Sequence, residues 1–176
     1  MTEIDKKNLK KYLYCTFGIT YISWGILAIF TQSHILGLET IIGRILHIVG
    51  ALGPAIASGF YLKRNNIKFK HFLFSKKENS SIYFIIHLLA ILILFSVSSL
   101  EFNGVSIYLM PLFFIQLIFF GGGHEELGWR GILQPLLDKK YTYWQSNLIV
   151  GSIWEIWHLP LWFIVGESHQ GFPFIL

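Results

Sequence analysis

Two adjacent glutamates and an arginine four residues on, Glu125-Glu126-x-x-x-Arg130, stand at the edge of a strongly apolar stretch. At helical pitch Glu126 and Arg130 share a face and can pair, whereas Glu125 is rotated from Glu126 by about 100°. The spacing offers one carboxylate tied to a guanidinium and a second left for chemistry. His158 follows 28 residues after Arg130, within Trp154-Glu155-Ile156-Trp157-His158-Leu159-Pro160. A carboxylate and an imidazole at similar depth are what is needed to deprotonate a water and later protonate an amine. Two plainer readings stand beside this one: a charged helix end at an interface, and a histidine hydrogen-bonded inside a bundle.

The elements that must position these groups are set by composition. Hydrophobic residues make up 53% of the 176, aromatics 17% and charged residues 14%, against about 25% charged in a soluble domain. An aqueous surface cannot accommodate that apolar surplus, so we expect an all-α, polytopic transmembrane bundle in a single membrane domain, 1–176. About 20 apolar residues cross the hydrocarbon layer, and five stretches meet or approach that length: 12–31, 42–62, 82–100, 106–123 and 144–165.

Charge placement orients them. The net charge is +4, a balance that in a soluble chain raises the question of nucleic acid. Here Lys6, Lys7, Lys10, Lys11, Lys63, Arg64, Lys68, Lys70, Lys76, Lys77, Lys139 and Lys140, twelve of fourteen basic residues, fall on one face of the layout. The positive-inside rule makes that face and the N-terminus cytoplasmic and removes the need for a nucleic-acid partner. Loop 63–81 is a topology determinant by this account, with contact to anionic lipid as a lesser role. Cys15, the only cysteine, can form no internal disulfide.

A charge inside a bilayer is costly and needs a reason. With a helix starting near Pro111, Glu125 lies ~21 Å deeper at 1.5 Å per residue. His158 lies ~16 Å from the cytoplasmic edge at Asn147, and Pro160 favours a local distortion there. On antiparallel neighbouring spans the two groups can meet.

These residues resemble the CAAX prenyl endopeptidase and bacteriocin-processing (CPBP, or Abi) membrane proteases. Glu125-Glu126-x-x-x-Arg130 looks like the first family motif and Trp154-x-x-x-His158 like the second, while Gly53-Pro54 resembles an upstream Gly/Ser-Pro helix; the likeness covers 51–176. The resemblance implies a multi-pass membrane protein, and the lysine- and isoleucine-rich composition suggests that the membrane is a bacterial cytoplasmic one. Its expected activity is endopeptidase hydrolysis of a membrane-associated peptide or protein, in bacteriocin processing or self-immunity, with membrane lipid as its other partner. It further implies that Glu125 and His158 activate the water, and that Glu126 and Arg130 structure the site. Some members carry the name metalloprotease, so a divalent metal such as zinc, held by Glu125 and His158, is the implied cofactor if there is one. The family pattern continues with a second histidine and an Asn or Asp four places later. His169 is followed at that distance by Pro173, so the chain reads as C-terminally truncated, with the remaining helices supplied by a partner or a further segment. The alternative is a catalytically incomplete scaffold or binding protein; a proton- or cation-conducting fragment is a third reading.

Other residues carry bland expectations. Glu155 and His158 form a Glu-x-x-His pair without the second copy that a di-iron bundle needs. His124 flanks the pair and can tune it. Arg44 and His47 are expected to anchor the outer end of the second span to headgroups, and His87 to hydrogen-bond between helices. Gly121, Gly122 and Gly123 suit a close helix approach or a local break.

Overall fold

A computed structural model describes residues 1–74 and 122–171, together with Leu112 and Gln116. Every element among them is helical, with no strand. The span expected over 82–100, nearly all of the one over 106–123, and His87 lie outside the described residues.

Helix α1 (Glu3–Gln32) begins where Thr2 and Asp5 close a reciprocal capping box, satisfying two otherwise orphaned N–H groups. Its buried stripe is Asn8, Tyr12, Thr16, Thr20, Ser23, Trp24, Leu27, Ala28 and Thr31, mostly small or polar. Its exposed face carries Tyr14, Ile22, Ile26 and Ile29. Apolar outside and small-polar inside is the arrangement expected when the surroundings are hydrocarbon and helices meet through close packing and hydrogen bonds. By length and composition α1 can cross a membrane, and α2 (Ile41–Ala51) with α3 (Gly53–Arg64) can cross as one broken span.

The break between α2 and α3 bends the pair by 49°. Pro54 has no N–H for the carbonyl of Gly50, four residues earlier. Thr20 Oγ1 donates to that carbonyl instead, at 2.7 Å, and itself accepts from Trp157 Nε1 at 2.7 Å. The kink is thus sealed from within by α1, which packs along both α2 and α3. A short helix, α4 (Phe69–Phe74), follows within the basic loop.

Helix α5 spans residues 126–137. It opens with Glu126–Gly128, widens to a π turn over Trp129–Leu133, where the Gln134 amide donates to the Trp129 carbonyl, and closes with Gln134–Leu137. Helix α6 (Tyr143–His158) starts at a second capping box, Thr142 with Gln145. It stops at His158 and continues as a 3-10 turn over Leu159–Phe163, so the span expected over 144–165 carries its expected local distortion at Pro160. Pro160 is the cause, since it cannot donate back into the helix. A last 3-10 turn, Ser168–Gly171, brings the chain back towards α6.

The core centres on three tryptophans, Trp24, Trp129 and Trp157, each at most 1% exposed. Trp157 lies 4.9 Å from Trp24 and 5.6 Å from Trp129 between ring centroids, so one indole joins α1, α5 and α6. Aromatic pairs at this spacing add to their buried area by about 0.5–1.5 kcal/mol each.

Candidate active site

The two glutamates are presented by a turn rather than by a continuing helix. Gly122 has φ +96, a left-handed conformation that suits glycine, and the Glu125 amide donates to the Gly122 carbonyl at 3.0 Å. The helix expected to run on through Glu125 is therefore broken before it, and a fresh one starts at Glu126. Close approach is needed just beyond: a Cβ on Gly128 would strike the Tyr12 hydroxyl and lie 2.7 Å from Pro54 Cβ and 3.0 Å from the Pro54 carbonyl oxygen. This glycine lets α5 dock against α1 and the broken span.

Glu125 Oε2 accepts from Trp154 Nε1 at 3.1 Å and from Trp129 Nε1 at 3.4 Å. Glu126 takes a different partner, Arg130, whose Nε lies 3.3 Å from Glu126 Oε2. Arg130 Nη1 also donates to Gln134 Oε1 at 2.7 Å and to Asn147 Oδ1 at 3.3 Å, tying α5 to α6. One glutamate is thus paired with the guanidinium and its neighbour is held by two neutral indole donors.

His158 Nδ1 lies 2.9 Å from the Trp154 carbonyl. A carbonyl can only accept, so Nδ1 carries a proton and Nε2 is the nitrogen left for proton transfer. The ring stands edge-on to Trp154 at 4.1 Å and to Trp157 at 4.5 Å, with Trp24 near-parallel at 6.3 Å. Glu125, Glu126, Arg130 and His158 all line one cavity of about 800 Å³. Trp154 touches both Glu125 and His158, through its N–H and its ring respectively. A carboxylate, an imidazole with an available nitrogen and a cavity able to hold a peptide segment together suit water activation.

Three further residues in this cavity were not reached from the sequence: His47, Glu167 and His169. His47, expected to anchor headgroups, instead turns inward. Its Nε2 lies 3.1 Å from Glu167 Oε1 and its ring 5.9 Å from Trp24. That hydrogen bond holds the Glu167 carboxyl well below the usual range, at about 2. Arg44 stays exposed on the same helix. His124 Nε2 donates to the Ala51 carbonyl at 3.1 Å, docking the glutamate turn onto the break between α2 and α3. Glu155 is exposed and absent from the cavity wall.

No group of three or more His, Cys, Asp or Glu side chains among the described residues converges to hold a metal ion. Glu125 and His158 alone supply two ligands, one fewer than a catalytic zinc takes from protein. The described residues do not fit such a centre.

Comparison with known proteins adds an independent line. The family model described as "Type II CAAX prenyl endopeptidase Rce1-like" matches residues 88–175. "CAAX prenyl protease 2" of Methanococcus maripaludis is 30% identical over an alignment of 187 positions, covering 94% of this chain. The chain spans 66% of that relative's length.

Proposed function

Because the chain belongs to the Rce1-like CAAX prenyl endopeptidase family, we propose that it is an intramembrane endopeptidase that hydrolyses a peptide bond in a membrane-associated peptide, with Glu125 and His158 activating the water. The observation that carries this reading is the bridging of Glu125 and His158 by Trp154 on the wall of one cavity. In the proposed mechanism Glu125 accepts the water proton as the water attacks the scissile carbonyl. His158 Nε2, unprotonated while Nδ1–H is bonded to the Trp154 carbonyl, takes that proton from Glu125 and delivers it to the departing amine as the C–N bond breaks. Arg130 and Glu126 hold α5 against α6, so that the carboxylate and imidazole keep their separation during both steps.

The setting we propose is a five-span bundle in a bacterial cytoplasmic membrane with the N-terminus inside. The one-sided placement of twelve basic residues supports it. Substrate classes compatible with the family are a prenylated C-terminal peptide, in line with the words "CAAX prenyl protease 2" that name the relative, and a bacteriocin-like peptide, with self-immunity as the biological role.

The test uses the chain in proteoliposomes with two quenched-fluorescent peptides, one farnesylated and ending in a CAAX sequence, the other amphipathic and unprenylated. Cleavage of at least one is expected, with Glu125→Gln slower on the order of 10²- to 10⁴-fold. Cleavage by Glu125→Gln at the wild-type rate would sink the reading, as would the absence of cleavage of either peptide.

A further inference from the structure

The chain beyond α6 folds back onto the candidate catalytic histidine. The His169 ring lies 5.8 Å from the His158 ring between centroids, with the planes only 19° apart. Its own surroundings are Trp162, edge-on at 4.9 Å, and Glu167, whose Oε1 lies 3.9 Å from His169 Nδ1. Glu167 is fixed in turn. Its Oε1 faces His47 Nε2 at 3.1 Å, its Oε2 accepts from the Ser168 amide at 2.6 Å, and its side chain is 15% exposed. A continuous series therefore runs from α2 through His47, Glu167 and His169 to His158.

His158 has reason to need it. Its hydrogen bond from Nδ1 runs to its own helix, and so do its edge contacts with Trp154 and Trp157. Those restraints come from residues one and four places earlier and leave the ring able to swing away from α6. Among the described residues, the near-parallel rings of Trp24 and His169 are the aromatic contacts that arrive from other parts of the chain. Offset stacking at 4.5–7 Å is a favoured aromatic geometry. A displacement of about 1 Å at a proton-transfer group can cost on the order of 10²-fold in rate.

We propose that Glu167 and His169 are positioning residues for His158: Glu167, held by His47, fixes the loop that lays the His169 ring against the His158 imidazole. The role rests on the reading of Glu125 and His158 as the water-activating pair. It uses the flat face of His169, not a nitrogen, and the carboxylate acts only through that ring.

The experiment measures kcat and KM for peptide cleavage in proteoliposomes for His169→Ala, His169→Phe, Glu167→Ala and the double variant His169→Ala/Glu167→Ala, with a melting transition for each. His169→Ala is expected to lower kcat by about 10- to 100-fold with KM unchanged. His169→Phe restores most of that loss because it keeps the ring. The double variant is no slower than the slower single variant, since the two residues act in series. If His169→Ala shows no melting transition, His169→Gln replaces it in the same comparison. The proposal is overturned if Phe is as slow as Ala, if the two losses multiply, or if His169→Ala keeps the wild-type kcat. Glu125→Gln runs in parallel. Full activity there removes the reading of the site itself, whereas an inactive Glu125→Gln beside a fully active His169→Ala removes only the positioning role.

Discussion

Trp154 Nε1 lies 3.1 Å from Glu125 Oε2, and the same side chain stands edge-on to the His158 ring at 4.1 Å. One indole therefore sets both the orientation of the carboxylate and the wall against which the imidazole rests. Its backbone carbonyl also receives the His158 Nδ1 proton at 2.9 Å. The aromatic residue of the Trp154-x-x-x-His158 motif thus has three distinct tasks, of which only the N–H donation to Glu125 is closed to phenylalanine.

Trp154→Phe separates those tasks. The edge contact and the backbone bond survive, and Glu125 loses its shorter indole donor. A hydrogen bond to a charged group contributes about 1.5–3 kcal/mol, so kcat should fall at least about tenfold with KM little changed. A fall of less than about twofold on the quenched peptide would show that Trp129 alone orients Glu125.

Arg130→Lys should separate stability from activity. The Arg130 and Glu126 side chains are 52% and 53% exposed, so their ion pair contributes no more than about 1 kcal/mol to stability, or roughly 4 °C of melting temperature. Arg130, however, reaches Glu126, Gln134 and Asn147 at once through a planar fork that an ammonium cannot reproduce. The expected result is a small melting shift with a large loss of rate. A rate loss no larger than the unfolded fraction explains would contradict it.

Gly128→Ala should act on packing. The added Cβ meets Tyr12 and the backbone of Pro54, which cannot move aside freely. Overpacking of this kind costs about 1–3 kcal/mol, readable as a lower unfolding midpoint in detergent. Gly59→Ala, on an open face of α3, is the control and should be neutral or stabilising by up to about 1 kcal/mol.

Glu167 gives a pH dependence with a definite sign. Its hydrogen bond with His47 lowers its pKa from 4.5 to about 2, so its contribution to stability is fully present above pH 4.5. That contribution is lost as pH falls from there towards 2. Melting temperatures measured across that range should decline for the wild type more steeply than for Glu167→Gln. Parallel declines would mean that the carboxylate is not held by His47.

Parts of this arrangement were legible in the sequence for local reasons. The pairing of Glu126 with Arg130 four residues on and the distortion at Pro160 each depend on residues within one turn of one another. The capping boxes Thr2 with Asp5 and Thr142 with Gln145 are as local but belonged to no expectation. The break at Gly53-Pro54 falls inside a stretch expected as one span, 42–62. What could not be read depends on faces and fold-backs. Whether His47 faces lipid or cavity is decided by which side of α2 packs on α1, and an almost wholly apolar helix carries no such signal. Glu167 and His169 reach the cavity through two 3-10 turns and Gly166 at φ +90, a path that no periodicity marks. A His-x-x-x-Asn spacing is absent at His169, and no spacing within the chain marks its position beside His158. Of the two indole donors to Glu125, Trp129 is local and Trp154 is likewise tertiary, coming from another helix.

The π turn over Trp129–Leu133 holds five residues where an ordinary pitch would place fewer. Removing one of them would let the segment relax to α pitch while the flanking turns keep nearly the same facing, because the widened turn is how the helix accommodates one residue more than α pitch needs. Glu126, Gly128, Leu136 and Leu137 would keep their partners, and the change would fall on the stretch between, where Trp129 meets Trp157 and Arg130 reaches Asn147. Elsewhere in the helix a deletion has no such buffer and would rotate one flank against the other by about 100°. Chains descended from a common ancestor with this site should therefore vary in length between Glu126 and Leu137 only at the π turn, and there by one residue.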